Sequence, residues 1–223
     1  MTYPMYFFSE DFLSIRPLLE ELPVKIFDFK EGDYLWQPGD SLEYLHYIQS
    51  GVLQFAITHS TGREKIISFH GRDTLFPVFY EGPVRLEHAL EAQILADTHT
   101  MAVKRTDFQQ LLMVHPDVSL AVIRWYTRFA NLLLYDTGHQ EFNDGFSKLC
   151  NIIYLLLCRD KTELIISQER LGQILGMSRV HINRYLGRLK EEGIIQVQRM
   201  RINVLDKVKL MAYCSAETVD LDL

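Results

Sequence analysis

The segment SQERLGQILGMSRVHINRYLGRL at residues 167–189 leaves the chain few ways to fold locally. Leu171, Ile174 and Leu175 share one face of a short helix, and Ile182, Tyr185, Leu186 and Leu189 share one face of a second. Ser167 and Ser178 stand where each helix would begin, and their hydroxyls can accept from first-turn amides that lack a partner. Gly176 lies between them, where a tight turn needs the left-handed backbone that glycine adopts cheaply. Gly172 removes a side chain where the helices would cross. Two helices joined this way make a helix-turn-helix. An ordinary αα-hairpin is the alternative, and the outward face of the second helix separates the two. That face carries Ser178, Arg179, His181, Asn183, Arg184 and Arg188, and no acid appears before Glu191 and Glu192. A solvated bundle face would mix acids with bases. Arginine can pair bidentately with guanine O6 and N7, and the remaining donors suit phosphates. Ile194–Val197 and Ile202–Leu205, with Arg199 and Arg201, read as a small β hairpin behind it, a wing near the DNA backbone.

The charge distribution fits a polyanion partner better than the total does. The chain of 223 residues has a formal net charge of −6. Residues 1–144 hold 11 Lys/Arg against 20 Asp/Glu, whereas residues 145–212 hold 12 against 6. A basic module attached to an acidic one is the implied arrangement. With 48% hydrophobic and 23% charged residues, the chain can bury a core, which excludes global disorder. The longest apolar run, Ile152–Cys158, is too short to span a bilayer, and the first residues lack the basic start of a signal peptide. Three cysteines, Cys150, Cys158 and Cys214, form no CxxC pair, so neither a disulfide framework nor a structural zinc site is expected. A cytoplasmic location, with no membrane partner, is the expectation.

Two further regions precede the helix-turn-helix. Residues 24–104 alternate short β-prone runs with turn residues: Val24–Phe29, Tyr34–Trp36, Leu45–Ile48, Val52–Thr58, Lys65–Phe69, then His88–Leu95 and His99–Lys104. Separate short strands at this spacing suggest a sandwich or barrel. Thr106 reads as the cap of a helix over Asp107–Val114, stopped at His115–Pro116. From Asp117 a longer helix places Val118, Val122, Trp125, Phe129 and Leu132 on one stripe, while Ile123, Tyr126, Ala130, Leu133 and Leu134 form a second apolar face. Two apolar faces need two partners, the β region and a second subunit. The stripe at Val118, Val122, Trp125, Phe129 and Leu132 is the expected dimerisation surface. The fold class is α+β: a sensory β-roll over 1–116, a dimerisation helix over 117–143 and a winged helix-turn-helix over 144–223.

Together these segments resemble the CRP/FNR superfamily of bacterial transcription regulators over residues 20–210. The run Phe29–Asp40 and the run Tyr47–Leu53 look like the family's β-roll signature, and His115–Asp117 looks like the start of its long helix. The resemblance implies a homodimer on a near-palindromic double-stranded operator, with RNA polymerase as a further partner. Ser167, Gln168, Ser178, Arg179, Val180, His181, Asn183, Arg184 and Arg188 are the candidate DNA contacts. Family members commonly carry Glu where this chain has Val180, so a cytosine acceptor is lost and a thymine methyl contact becomes available. The half-site should differ from the TGTGA of the catabolite activator.

The sensory positions depart further from the family. The Gly-Glu and Arg-Ser pairs that hold ribose and cyclic phosphate are matched here by Pro77–Val78 and His88–Ala89, and the Thr-Ser pair that meets adenine by Leu133–Leu134. A cyclic phosphate would enter an apolar pocket without its Arg, which disfavours cAMP. An FNR-like iron–sulfur cluster would need cysteines near the N-terminus, and the first is Cys150. Haem or redox sensing is the alternative, with His46, His70, His88 and His99 as axial candidates. What remains is aromatic: Phe76, Pro77, Phe79 and Tyr80 beside Trp125, Phe129 and Leu132, with Arg85, His88, Arg124 and Arg128 as polar anchors. Such walls suit an aromatic acid or phenol, with a ligand-free core filled by the same aromatics as the alternative, and the family includes halophenol-responsive regulators of dehalogenation. A cupin-like metal enzyme is the reading from another class; it lacks an HxH pair among eight histidines, and no catalytic constellation stands out.

Overall fold

β-branched and aromatic residues between residues 24 and 104 build one mixed sheet, and the periodicity then turns helical. The protein is described by a computed structural model over residues 6–77, 90–157 and 162–219. The chain forms two units, residues 7–130 and residue 6 together with 131–219.

The first unit begins with β1 (Phe7–Phe8), a single 3-10 turn at Leu13–Ile15 and α1 (Arg16–Glu20). The strands β2 (Val24–Phe29), β3 (Tyr34–Trp36), β4 (Tyr44–Thr58), β5 (Glu64–His70), β6 (Leu75–Phe76) and β7 (Leu90–Lys104) follow, then α2 (Arg105–Val114) and the start of α3 (Pro116–Phe142). The sheet order is β1-β5-β4-β7-β2, with β3 on β7 and β6 on β4. Among the described residues of this sheet only β1 with β5 is a parallel pair; the other pairings are antiparallel. Trp36, Ile48, Leu53, Phe76, Ala92 and Ile94 close the interior of this jelly-roll-like sheet, with Phe29, Leu35, Phe55 and Leu90 against them. Burial at about 25 cal/mol per Å² of apolar surface is its main support.

Two expectations about the strands change. The runs Leu45–Ile48 and Val52–Thr58 are one strand, and His99–Lys104 continues the preceding strand without a break. Ser50–Gly51 and Ala96–Thr98 are not turns between strands. They face each other where the β4–β7 register shifts between Ile48 and Leu53, which bends both strands. Gly51 has φ +98°, and a Cβ there would overlap the Thr98 hydroxyl. A glycine in this place therefore bends a strand rather than ending it. Thr106 does not cap α2: the helix already includes Arg105, and the Thr106 hydroxyl donates to Asp107.

In the second unit, α3 is followed by α4 (Gly145–Leu156), β8 (Glu163–Ile165), α5 (Gln168–Leu175), α6 (Arg179–Glu191), β9 (Ile195–Gln198), β10 (Arg201–Val204), α7 (Lys207–Met211) and α8 (Ala216–Val219). Asp144 caps α4 by accepting from the amides of Phe146 and Ser147. β8 and β9 flank β10 in a three-stranded antiparallel sheet. Leu149, Ile152 and Ile153 of α4, Leu171 and Ile174 of α5, and Ile182, Leu186 and Leu189 of α6 are buried.

Candidate nucleic-acid interface and effector site

The helix-turn-helix is built as its sequence dictates. The Ser167 hydroxyl accepts from the Arg170 amide at 3.0 Å, and the Ser178 hydroxyl from the His181 amide at 3.4 Å. Each cap stabilises its helix by about 1 kcal/mol. Gly176 takes φ +65° and ends α5. A Cβ on Gly172 would come within 2.7 Å of the Met177 carbonyl oxygen, so only glycine lets the turn pass this close. Tyr185 approaches Gly145 so closely that a Cβ there would lie 2.6 Å from its hydroxyl.

The opposite face of α6 is open to solvent. Arg179, Val180, His181, Asn183 and Arg184 are all exposed, Val180 at 76%. Arg184 donates to the Tyr185 hydroxyl at 3.0 Å and lies over that ring at 4.8 Å. Among the described residues, neither Arg179 nor Arg184 enters an ion pair. Arg188 differs. It pairs with Glu192 at 3.0 Å and lies 3.9 Å over the Phe146 ring, so its guanidinium fastens α6 to α4. Ser167 and Gln168 are half-buried at the start of α5. In the wing, Arg199 is exposed beside Met200, whose φ of +62° makes the hairpin turn, while Arg201 is paired with Glu163 of β8 at 2.8 Å.

The described residues of the first unit expected to hold an effector fall into two places, the rings gathered about His70 and a cavity lined by Pro77. Phe76 belongs to the sheet interior, where its ring lies 4.7 Å from that of His70. Pro77 lines a cavity of about 240 Å³ with Trp36, Tyr44 and His46. Trp125 and Phe129 stack on each other at 5.1 Å and flank Phe8, and Arg128 is ion-paired to Asp11. Leu132 is buried within the second unit. Phe79, Tyr80, Arg85 and His88 lie outside the described residues. Phe8, Asp11 and His70 were missed as members of this set. Phe8 and Asp11 carry no motif, and His70 showed only as one histidine among several.

The histidines considered as haem ligands are engaged. His46 bonds to Thr100 at 3.0 Å and is ringed by Phe27 and Phe29; burial lowers its pKa to about 4. His70 bonds to Ser68 at 2.9 Å, and its full burial lowers its pKa to about 3. His99 bonds to Asp28.

The stripe expected to meet a second subunit needs correction. Val118, Val122, Trp125 and Leu132 are buried within their own chain, at 0 to 8% exposure, and Phe129 is half-buried. Leu120, Ile123, Tyr126, Leu133 and Leu134 are exposed apolar residues of α3, Leu134 at 72%, and Phe142 at its end is 85% exposed. The faces were told apart wrongly because periodicity finds both stripes and cannot rank them.

Comparison with known proteins agrees with this architecture. Residues 26–115 match the cyclic nucleotide-binding domain family, and residues 147–213 match the Crp-like helix-turn-helix domain family. The chain belongs to the CRP/FNR superfamily. This CRP/FNR protein is 22% identical to the global nitrogen regulator of Synechocystis sp. over 204 residues, covering 86% of this chain and 89% of the relative. The structure of FixK2 from Bradyrhizobium japonicum superposes with a TM-score of 0.74 at 18% identity, covering 87% of this chain and 99% of that one. CprK complexed with OCPA superposes at 0.73 and 18% identity, over 92% and 97%. The CRP/FNR chain is thus a DNA-binding transcription regulator with an effector-binding domain, and its relatives are regulators, not enzymes. No helix among the described residues is long and apolar enough to cross a membrane.

Proposed function

We propose that this regulator is a homodimer that binds a near-palindromic operator through α6, gated by a small ligand that is not a cyclic nucleotide. The observation that carries the DNA reading is the exposed Arg179 and Arg184, neither of them in an ion pair among the described residues, on a helix whose opposite face is buried. Arg179, Val180, His181, Asn183 and Arg184 face the base edges. Ser167, Gln168 and Arg199 meet phosphates, and Arg188 holds the helix in place. Two recognition helices related by a dimer axis reach half-sites about one helical turn apart. Leu120, Ile123, Tyr126, Leu133 and Leu134 supply the apolar surface for that dimer. RNA polymerase is the further partner that such a regulator meets at a promoter.

The ligand is an aromatic acid held by Trp125, Phe129 and Arg128. CprK, which shares the fold, has been solved with o-chlorophenolacetic acid. The loss of the Gly-Glu and Arg-Ser pairs at Pro77–Val78 and His88–Ala89 argues against cAMP. A ligand gates DNA binding only by favouring the DNA-competent arrangement.

Selection of binding sites from a random DNA pool, with and without a panel of aromatic acids, tests both parts. A palindrome should be enriched, and Arg184→Ala should weaken it by about 2–6 kcal/mol, the worth of one bidentate base contact in each half-site. Enrichment that survives Arg179→Ala and Arg184→Ala together would overturn the assignment of α6.

A further inference from the structure

Phe8 is fully buried, and Trp125, Phe129 and Arg128, assigned above to the aromatic acid, lie around its ring together with His70. His70 stacks on it at 5.2 Å and 14°, and Trp125 and Phe129 lie at 5.5 and 6.1 Å. The Arg128 guanidinium is 5.1 Å from the ring centroid. Three residues along the chain, Asp11 gives its carboxylate to that same guanidinium. A ring and a carboxylate from one short stretch of chain therefore occupy the aromatic walls and the cation together. This is the chemistry of an aryl carboxylate, supplied by the protein itself.

The fit is incomplete in its polar part. Among the described residues, Asp11 Oδ2, His70 Nδ1, Trp125 Nε1 and Arg128 Nη2 are buried without a partner. Buried polar atoms are nearly always bonded, and here four that are not surround one ring. A free carboxylate can take Arg128 in a two-oxygen fork, which the ion pair with Asp11 leaves half used. The segment that carries Phe8 is also short. β1 has two residues at the edge of the sheet, and the next backbone bonds run from Gly71 to Phe8, Glu10 to Arg72 and Phe12 to Asp73.

We propose that Phe8 and Asp11 are a tethered occupant of the effector site, and that an aryl carboxylate binds by displacing them. This rests on the effector reading above and adds its regulation. A tethered group competes at the effective concentration that its linker sets, so the affinity of the native chain is lowered by the fraction of time the site is filled.

Titration calorimetry on the full chain tests this, with phenylacetate as the probe and 2-phenylethanol as its uncharged counterpart. Phe8→Ala should bind both at least tenfold more tightly than the native chain. Asp11→Ala should tighten phenylacetate by a similar factor and leave 2-phenylethanol unchanged. In the native chain, saturating phenylacetate should speed amide exchange at Phe8–Phe12. Should Phe8→Ala fail to fold, Phe8→Leu keeps the apolar bulk without the ring, and with Asp11→Ala it decides. Unchanged or weaker phenylacetate binding in the folded variants, or none in any, would overturn the proposal. Operator affinity measured in parallel separates the two readings. Tighter phenylacetate binding with unaltered operator affinity sinks effector gating and leaves the tethered occupant standing. An operator response to a ligand that does not compete with Phe8 does the reverse.

Discussion

Lowering the pH from 7.5 to 5 should destabilise the first unit by about 4 kcal/mol, through two histidines at about 2 kcal/mol each. His70 is fully buried among the rings of Phe8, Phe76 and Trp125, and His46 lies among Phe27, Phe29 and Thr100. Burial disfavours the charged ring, lowering His70 to about 3 and His46 to about 4 from an ordinary 6.5. The unfolded chain takes up both protons below about pH 6.5, whereas the folded chain refuses them. The stabilisation is therefore complete above about pH 6.5 and is lost progressively as pH falls towards the folded values. At pH 5 the gap traversed is about 1.5 units per histidine, at about 1.4 kcal/mol per unit. Carboxylates do not confuse this window: Asp97, held low by Lys30, loses its contribution only below its ordinary range. Such a loss is a large part of a total near 5–15 kcal/mol. Urea unfolding at pH 7.5, 6 and 5, followed by tryptophan fluorescence, measures it. His70→Gln should remove about half of the drop and His46→Gln most of the rest. If both variants kept the native chain's full acid sensitivity, the assignment to buried neutral histidines would be wrong.

Three further outcomes follow from the same geometry. Gly51→Ala combines a left-handed backbone with a Cβ only 2.6 Å from Thr98 Cα, and should destabilise by about 3 kcal/mol or more in a denaturant melt; an unchanged midpoint would contradict the bend at β4–β7. Leu134→Glu places a charge on an apolar side chain that is 72% exposed; light scattering should find monomers, with stability of the isolated chain within about 0.5 kcal/mol of native. Arg199→Ala should flatten the salt dependence of operator binding by about 1.8 in slope, about 0.9 for one phosphate per protomer; an equal slope would remove the wing from the interface.

The parts of the fold that were legible in the sequence are those set by local rules. Ser167, Gly172, Gly176 and Ser178 each answer a local demand, a cap, a close crossing or a left-handed turn, and the structure uses all four accordingly. The strands of the wing fall within one residue of their expected positions for the same reason. What was not legible depends on distant partners. Gly51 resembles a turn until the facing bend at Ala96–Thr98 is known. The two apolar stripes of α3 have equal periodicity, and only the β unit decides that Trp125 turns inward while Ile123 stays exposed. Arg128 and Arg188 read as free cations in a linear sequence, but Asp11 and Glu192 engage them in the fold. Asp11 is 117 residues from Arg128, beyond the reach of any local pattern.

That same distinction between cations present and cations free explains how an acidic chain can bind DNA. The net charge of −6 is the wrong quantity, because screening at physiological salt confines each charge to about 8 Å of its surroundings. The excess of basic residues over 145–212 is not the right quantity either. Arg188, Arg201 and Lys209 are each paired with an acid of the same region, Glu192, Glu163 and Asp206. Those pairs hold α6, the wing and α7 in place. Arg179, Arg184, Lys190 and Arg199 are exposed and enter no ion pair among the described residues, so they are the cations open to a nucleic acid. Each of them that meets a phosphate adds sequence-independent affinity. On the reading proposed above, sequence is read at base edges by Arg179, Val180 and Arg184. Recognition of this kind depends on rigid placement, and the close turn at Gly172 and the Arg188 anchor over Phe146 provide it.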